Sequence, residues 1–94
     1  MADKASQYLA RIKVERDRQQ TLPGSELDGK NAVNDWIAIA GHYLNESATR
    51  KSSASYNRGI LPQATYEDNL IKAAAVILAA LEHADALRLS GNLL

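Results

Sequence analysis

Two acids and a histidine share one side of the second predicted helix. Asp35, His42 and Glu46 stand at positions i, i+7 and i+11, and an advance of about 100° per residue places them on one narrow strip of an α-helix. Such a carboxylate–imidazole row can face another subunit or a metal ion. The alternative is a solvated helix face, which such a row more commonly forms. Because Mg²⁺ prefers carboxylates and water to imidazole, the row is not a specific metal signature.

Glu15 is a further acid in a chemically interesting position. It follows Ile12 by three residues, so it falls on or beside the apolar stripe of the first predicted helix. One interpretation is a rim carboxylate that pairs with Arg11 or Arg18. The other is a functional acid that faces a pocket.

Basic residues are concentrated in a polar segment, residues 50–63, which reads RKSSASYNRGILPQ. Its serine, asparagine and glycine content, with Pro62 near its end, predicts a loop. Arg50, Lys51 and Arg58 would make it a basic flap that contacts phosphates. A plain flexible connector is the alternative.

Three helices and two loops account for the whole chain, and the pattern predicts one all-α domain over residues 1–94. The helices are predicted at about 3–21, 31–49 and 65–90, and the loops at 21–31 and 50–63. Asn31 is the predicted cap of the second helix. The apolar stripe of that helix consists of Val33, Trp36, Ile37, Ala40, Tyr43 and Leu44.

The start and the end of the third helix carry recognisable signals. Thr65 and Asp68 have the spacing of a capping box, and Glu67 and Asp68 would favour the positive end of the helix. These acids therefore have a structural explanation. Gly91 stands close to the expected C-terminal cap.

The middle of the third helix is apolar on most sides. Its predicted polar edge consists of Asp68, Lys72, Ala75, Ala79 and Glu82. The remaining residues from Leu70 to Leu81 are apolar and rich in alanine, which permits close approach of other helices. Because such a helix must be covered on most sides, we expect three antiparallel helices in a bundle that is completed by oligomerisation.

Composition excludes several classes of function. The 94 residues have a formal net charge of zero and contain no cysteine, so a thiolate nucleophile and a zinc-thiolate site are excluded and nucleic acid is an unlikely ligand. The uncharged run Ala73–Leu81 is far shorter than the roughly 20 residues that cross a bilayer. The N-terminus lacks the apolar core of a signal peptide. We therefore expect a cytoplasmic protein that does not enter a membrane.

Charge is unevenly distributed between the first and last helices. The first carries Lys4, Arg11, Lys13, Arg16 and Arg18, and the last carries Glu67, Asp68, Glu82 and Asp85. The two helices can therefore pair within one chain or between chains, although exposed pairs contribute only about 0–1 kcal/mol each.

Three segments, in this order, carry a resemblance to a known family. They are ERDRQ at 15–19, NDWIAIAGHYL at 34–44 and EDNLIKAAAVILAALEHAD at 67–85. Together they resemble the MazG-like, all-alpha NTP pyrophosphohydrolases, especially the short phage and prophage versions. The family's E-E-x-x-E and E-x-x-D clusters are not reproduced here.

The resemblance implies a homo-oligomer, a dimer or a dimer of dimers, that uses Mg²⁺ to cleave a nucleoside triphosphate into monophosphate and pyrophosphate. It implies metal ligation by Glu15, Asp35, Glu46 and Asp68, with Glu15 and Glu46 catalytic. Arg50, Arg58 and Lys72 would contact the phosphates. The alternative function is that of a small, non-catalytic, phage-encoded helical protein that binds and inhibits or sequesters a host component.

Overall fold

The computed structural model describes residues 3–46 and 62–94, and all regular structure in these ranges is helical. Helix α1 spans Lys4–Gln19, a 3-10 helix spans Ser25–Lys30, α2 spans Val33–Glu46, α3 spans Gln63–Glu82 and α4 spans Ala84–Leu89. The predicted all-α class with three main helices is confirmed. The 3-10 helix falls within the first predicted loop, and residues 50–61 of the second predicted loop lie outside the described ranges.

Helix α3 contacts both α1 and α2. Arg11 of α1 pairs with Glu67, and Arg16 pairs with Glu82, so α1 and α3 run in the same direction. Trp36, near the start of α2, lies against His83 just beyond the end of α3. Helix α2 therefore runs antiparallel to α3. The predicted pairing of the basic first helix with the acidic last one occurs within this chain.

The core is small and lies where α2 meets α3. Trp36, Ala40, Val76 and Ala79 form one buried cluster, against which Tyr43, Ala80 and Leu87 pack. No large side chain within the described ranges is completely buried. A short chain buries a modest fraction of its surface, and this core has correspondingly few large members.

The predicted polar edge of α3 was wrong at its two alanines. Ala75 is 0 % exposed and Ala79 is 2 % exposed, so this edge faces the neighbouring helices. The small methyl side chains permit α1 and α2 to approach α3 closely. Lys72 and Glu82, on the same side, are reached by side chains of α1. The predicted polar edge of α3 is therefore part of the face that contacts the neighbouring helices.

The capping box predicted at the start of the third helix was also wrong. Helix α3 begins at Gln63, directly after Pro62, and no side chain caps it. Thr65 consequently lies inside the first turn, where it does not form the predicted capping box. Glu67 and Asp68 come after that turn. Proline fixes its own φ in the range that precedes and begins helices, which explains why the helix starts earlier than the threonine suggests.

The predicted single helix over 65–90 is divided at His83. The backbone of His83 has φ −95° and ψ 1°, and its N–H group is bonded to carbonyls of the last turn of α3. Helix α4 ends at Leu89, and Gly91, the glycine expected near its C-terminal cap, follows Ser90 with a φ of 85°. The N–H groups of Gly91 and Asn92 donate to the carbonyls of Arg88 and Leu87. This is a Schellman motif, which favours glycine at the left-handed position.

One face of α3 remains largely uncovered within the described ranges. We call it the outer α3 face, and it consists of Tyr66, Leu70, Ala74, Ile77 and Leu81. Tyr66, Ile77 and Leu81 are exposed, and the other two are half-buried. None of the helices in the described part of the chain has the length and apolar character needed to span a membrane.

Candidate functional site

The central cavity lies where α1, the loop after it, α2 and α3 come together. Its volume is about 320 Å³. It is lined by residues of the three main helices and of the segment after α1. These residues are Arg16 and Gln19 of α1, Trp36, Ile39 and Tyr43 of α2, Val76 and Ala79 of α3, and Leu22, Pro23, Gly24, Ser25 and Asp28. Ligand pockets begin at about 300 Å³ and are mainly apolar with a few polar groups. The central cavity has this character.

Arg16 is the one buried charged residue within the described ranges, and it is 5 % exposed. Its Nε donates to Oε1 of Glu82 at 2.8 Å, and this hydrogen bond holds the pKa of Glu82 below its ordinary value. The other guanidinium N–H groups have no acceptor among the described residues.

Trp36 forms another wall of the cavity. It is 5 % exposed, and its ring lies 5.1 Å from that of His83, centroid to centroid, at an angle of 32°. The Nδ1 atom of His83 is 2.8 Å from the carbonyl oxygen of Ala79, which fixes the imidazole against the indole. The indole Nε1 is buried and has no hydrogen-bond partner in the described part of the chain.

Glu15 is held by side chains of its own helix. Both of its carboxylate oxygens accept hydrogen bonds from Arg18, at 2.8 and 2.7 Å. Gln19 donates to the same carboxylate at 3.1 Å and lies 3.4 Å from the carbonyl oxygen of Lys72. The bonds from Arg18 are the main reason that the pKa of Glu15 is lowered. Of the two partners predicted for a rim carboxylate, the structure has Arg18.

Asp35 stabilises the start of α2. Its carboxylate accepts a hydrogen bond of 2.8 Å from the N–H group of Ala32, and the carbonyl of Ala32 accepts the first bonds of the helix. Ala32, and not the predicted Asn31, is therefore the cap residue. Asp35 and His42 are both exposed. His42 makes an edge contact with the ring of Tyr43, at 5.4 Å between centroids.

Glu67 and Asp68 lie beside Arg11 of the first helix. Nη1 of Arg11 is 2.7 Å from Glu67, and Nη2 is 3.9 Å from Asp68. Hydrogen bonds from Arg11 and then from Gln63 hold the pKa of Glu67 below its ordinary value. These acids therefore connect α3 to α1, and they do not serve the helix start as predicted.

The predicted magnesium ligands do not form a metal centre in the described part of the chain. No group of three or more histidine, cysteine, aspartate or glutamate residues lies close enough there to hold a metal ion. Glu46 is the last residue of α2, and its side chain is outside the described part, as are Arg50 and Arg58. Two of the predicted ligands, Glu15 and Asp68, nevertheless line one cavity together with Arg11.

The central cavity was missed as a site by the sequence analysis. Arg16 was counted among the surface charges, and Trp36 was treated as one member of an apolar stripe. A signal was nevertheless present, since Arg16 follows Ile12 by four residues and Tyr8 by eight. This spacing places a charged residue on the side of α1 that faces the core.

Comparison with known proteins does not identify the chain: no protein-family model, no curated protein and no solved structure matches it.

Proposed function

We propose that this chain is a nucleotide-binding protein of the all-alpha NTP pyrophosphohydrolase type and that a nucleotide occupies the central cavity. One observation carries the proposal. The three segments that resemble the MazG-like family are far apart in the sequence, yet each contributes to the lining of this cavity, through Arg16 and Gln19, through Trp36, Ile39 and Tyr43, and through Val76 and Ala79. A ligand in this cavity would contact all three segments, and this common contact would explain why these segments are the ones that resemble a ligand-binding family.

Binding is better supported than hydrolysis. Glu15 is engaged by Arg18, Asp35 by the start of α2, and Asp68 lies beside Arg11. Mg²⁺ in nucleotide sites is usually held by one or two carboxylates together with water and the substrate phosphates. Because these three acids already have partners within the chain, cleavage of the triphosphate would require a further carboxylate, such as Glu46 or an acid of a second subunit. In this proposal the protein is a nucleotide-binding relic unless an oligomer completes the metal site.

Two measurements on the same preparation test the proposal. Thermal shift assays with a panel of (d)NTPs, each with and without Mg²⁺, report binding, because a ligand that binds only the folded state raises the melting temperature. Release of pyrophosphate reports cleavage. We expect a raised melting temperature with at least one nucleotide. The absence of both a thermal shift and turnover with every nucleotide would remove the proposal.

The second candidate is a non-catalytic helical protein that binds a host component, as a small phage-encoded inhibitor would. The outer α3 face favours it, because exposed apolar side chains at helical spacing provide a surface for another helix. A stoichiometric host protein that co-purifies with the wild type, but not with a chain carrying Ile77→Glu and Leu81→Glu, would support this candidate. Unchanged biological activity of that variant would contradict it.

A further inference from the structure

We infer that α2 and α3 together bind a second copy of this chain, and that the two copies approach each other closely at Gly41. The surface consists of Ile37, Gly41 and Leu44 of α2 together with the outer α3 face, and we call it the α2–α3 face. This inference goes beyond nucleotide binding and does not depend on it. The sequence indicated association through the third helix and gave no role to Gly41.

One side of α2 is apolar and exposed. Ile37 and Leu44 are 68 % and 46 % exposed. With Gly41 they occupy positions i, i+4 and i+7, which form a single strip of an α-helix. The carboxylate–imidazole row that includes Asp35 lies on the opposite side by the same geometry. The charged residues of α2 are therefore turned away from Ile37 and Leu44.

This strip of α2 lies beside the outer α3 face. Ile39, which lines the central cavity with residues of α1, is about 160° from Ile37 around α2. Glu82, which pairs with α1, is about 140° from Ile77 around α3. Both apolar strips therefore face away from α1. Because α2 and α3 are antiparallel neighbours, two strips on the same side of the pair form one continuous surface.

The α2–α3 face is large enough for specific association. Helix α2 has 14 residues and α3 has 20. Their lengths of about 21 and 30 Å, and a width of about 10 Å for each helix, give a face of about 500 Å². Two copies that cover each other there would bury about 1,000 Å², which reaches the lower bound for a specific interface.

The absence of charge favours a second copy as the occupant. A twofold dimer places the same surface of both subunits in contact, so any charge on that surface would meet a like charge nearby. None of the residues of the α2–α3 face is charged. Self-association therefore brings no like charges together. A partner that is recognised through its charge would find no complementary group on this face.

Gly41 lies in the middle of α2, and the single chain gives no reason for a glycine there. A Cβ added to it would meet no described atom within 4 Å, and its φ is not positive. Glycine inside a helix is destabilising relative to alanine. A helix of a second copy supplies the reason, because the missing side chain permits close approach of another backbone.

The substitution Gly41→Leu tests the inference on the full-length protein. Sedimentation equilibrium over a range of protein concentrations should give the wild type twice the monomer mass of 10.2 kDa at high concentration. Gly41→Leu should raise the dissociation constant at least tenfold, because its side chain holds the two copies apart. At concentrations where both are monomeric, the variant should melt at a higher temperature than the wild type, since leucine is the better helix former.

The matched control is Gly29→Leu. Gly29 also has open space around an added Cβ and no positive φ, but it belongs to the 3-10 helix Ser25–Lys30 and lies outside the α2–α3 face. This variant should dimerise like the wild type. A loss of affinity that is equal in the two variants would overturn the role of Gly41.

Single thiols locate the interface independently. Because the chain contains no cysteine, Ile37→Cys and His42→Cys each introduce one thiol, on opposite sides of α2. Alkylation of Ile37→Cys should become slower as the protein concentration rises through the range of dimerisation. His42→Cys should react at a constant rate. Protection of His42→Cys in place of Ile37→Cys would overturn the assignment of the interface to the α2–α3 face.

The remaining outcomes separate this inference from the proposed function. A wild type that stays monomeric at every concentration would overturn the inference and leave the face to a host component. A dimer that Gly41→Leu does not weaken would also overturn it. Nucleotide binding is measured separately, in the thermal shift assays, and neither result changes its standing.

Discussion

Arg16 and Glu82 form an ion pair of 2.8 Å in which the guanidinium is buried and the carboxylate is half-exposed. The pair joins the last turn of α1 to the last residue of α3. Because arginine does not lose its proton in proteins, the charge on Arg16 persists whether or not Glu82 is present. The carboxylate of Glu82 should therefore contribute more to the stability of the fold than a carboxylate in an exposed ion pair does.

Glu82→Ala should destabilise the fold noticeably. Loss of the carboxylate leaves a buried guanidinium without its partner, and we expect the free energy of unfolding to fall by about 1–3 kcal/mol. Urea denaturation measures the change. Asp17→Ala is the control, because Lys13 and Asp17 are both exposed and 3.9 Å apart, and loss of such a pair should cost no more than about 0.5 kcal/mol. Equal losses in the two variants would contradict a special role for the buried charge.

Acid should destabilise the protein through its paired glutamates. The pKa values of Glu15 and Glu82 are lowered in the folded protein by hydrogen bonds from Arg18 and Arg16. A lowered folded pKa contributes stability that is present above the unfolded value, which is 4.5 for glutamate, and that is lost as the pH falls through the folded value. The melting temperature should therefore decrease as the pH falls below about 4.5.

Glutamine substitutions test whether Glu15 and Glu82 cause this loss of stability in acid. The double variant Glu15→Gln, Glu82→Gln should melt at a lower temperature at neutral pH and should lose less stability in acid than the wild type does. Asp85→Asn, at an exposed position, is the control and should retain the acid sensitivity of the wild type. An unchanged slope in the double variant would show that other carboxylates are responsible.

Adjacent residues of α2 should respond very differently to truncation. Trp36 is 5 % exposed, whereas Ile37 is 68 % exposed. Trp36→Ala should lower the free energy of unfolding by about 3–5 kcal/mol, because it removes the largest member of the buried cluster. Ile37→Ala should change it by less than about 0.5 kcal/mol in the monomer. Denaturation at low protein concentration tests both, and a large effect of Ile37→Ala there would contradict the burial pattern.

The sequence predicted helices well and their contact faces less well. Tyr8 and Ile12 in α1, and Trp36 and Ala40 in α2, lie four residues apart, and periodicity alone identifies their helices. Periodicity failed for α3, because this helix has apolar residues almost all round and the residues that decide its orientation are alanines. Ala75 and Ala79 read as the weakest part of a polar edge, yet they are among the most buried residues. Their small size, more than their hydrophobicity, suits them to the helix contact, because a methyl side chain permits another helix to approach closely.

The candidate site was harder to predict than the fold. Glu15, Asp35 and Asp68 were selected because carboxylates bind metals, but a sequence does not reveal that Arg18, the N–H group of Ala32 and Arg11 lie beside them. The central cavity depends on where three helices and a loop meet. That junction is a property of the tertiary packing, so only the unusual position of Arg16 on a core-facing stripe pointed to it.

A charge on the outer α3 face should prevent oligomerisation. We expect the wild type to associate, because Tyr66, Ile77 and Leu81 are exposed apolar residues on one side of a helix and a small domain gains stability by covering such a face. Ile77→Glu should dissociate the assembly to the monomer of 10.2 kDa, since a buried unpaired carboxylate strongly opposes association. Size-exclusion chromatography with light scattering measures the mass.

The matched control for this experiment is Gln20→Glu, which adds the same charge at an exposed position just after α1. It should have the oligomeric state of the wild type. Circular dichroism should show that both variants retain their helices, because Ile77 is already partly exposed in the single chain. A wild type that remains monomeric at high protein concentration would contradict the prediction, and so would an Ile77→Glu variant that associates as the wild type does.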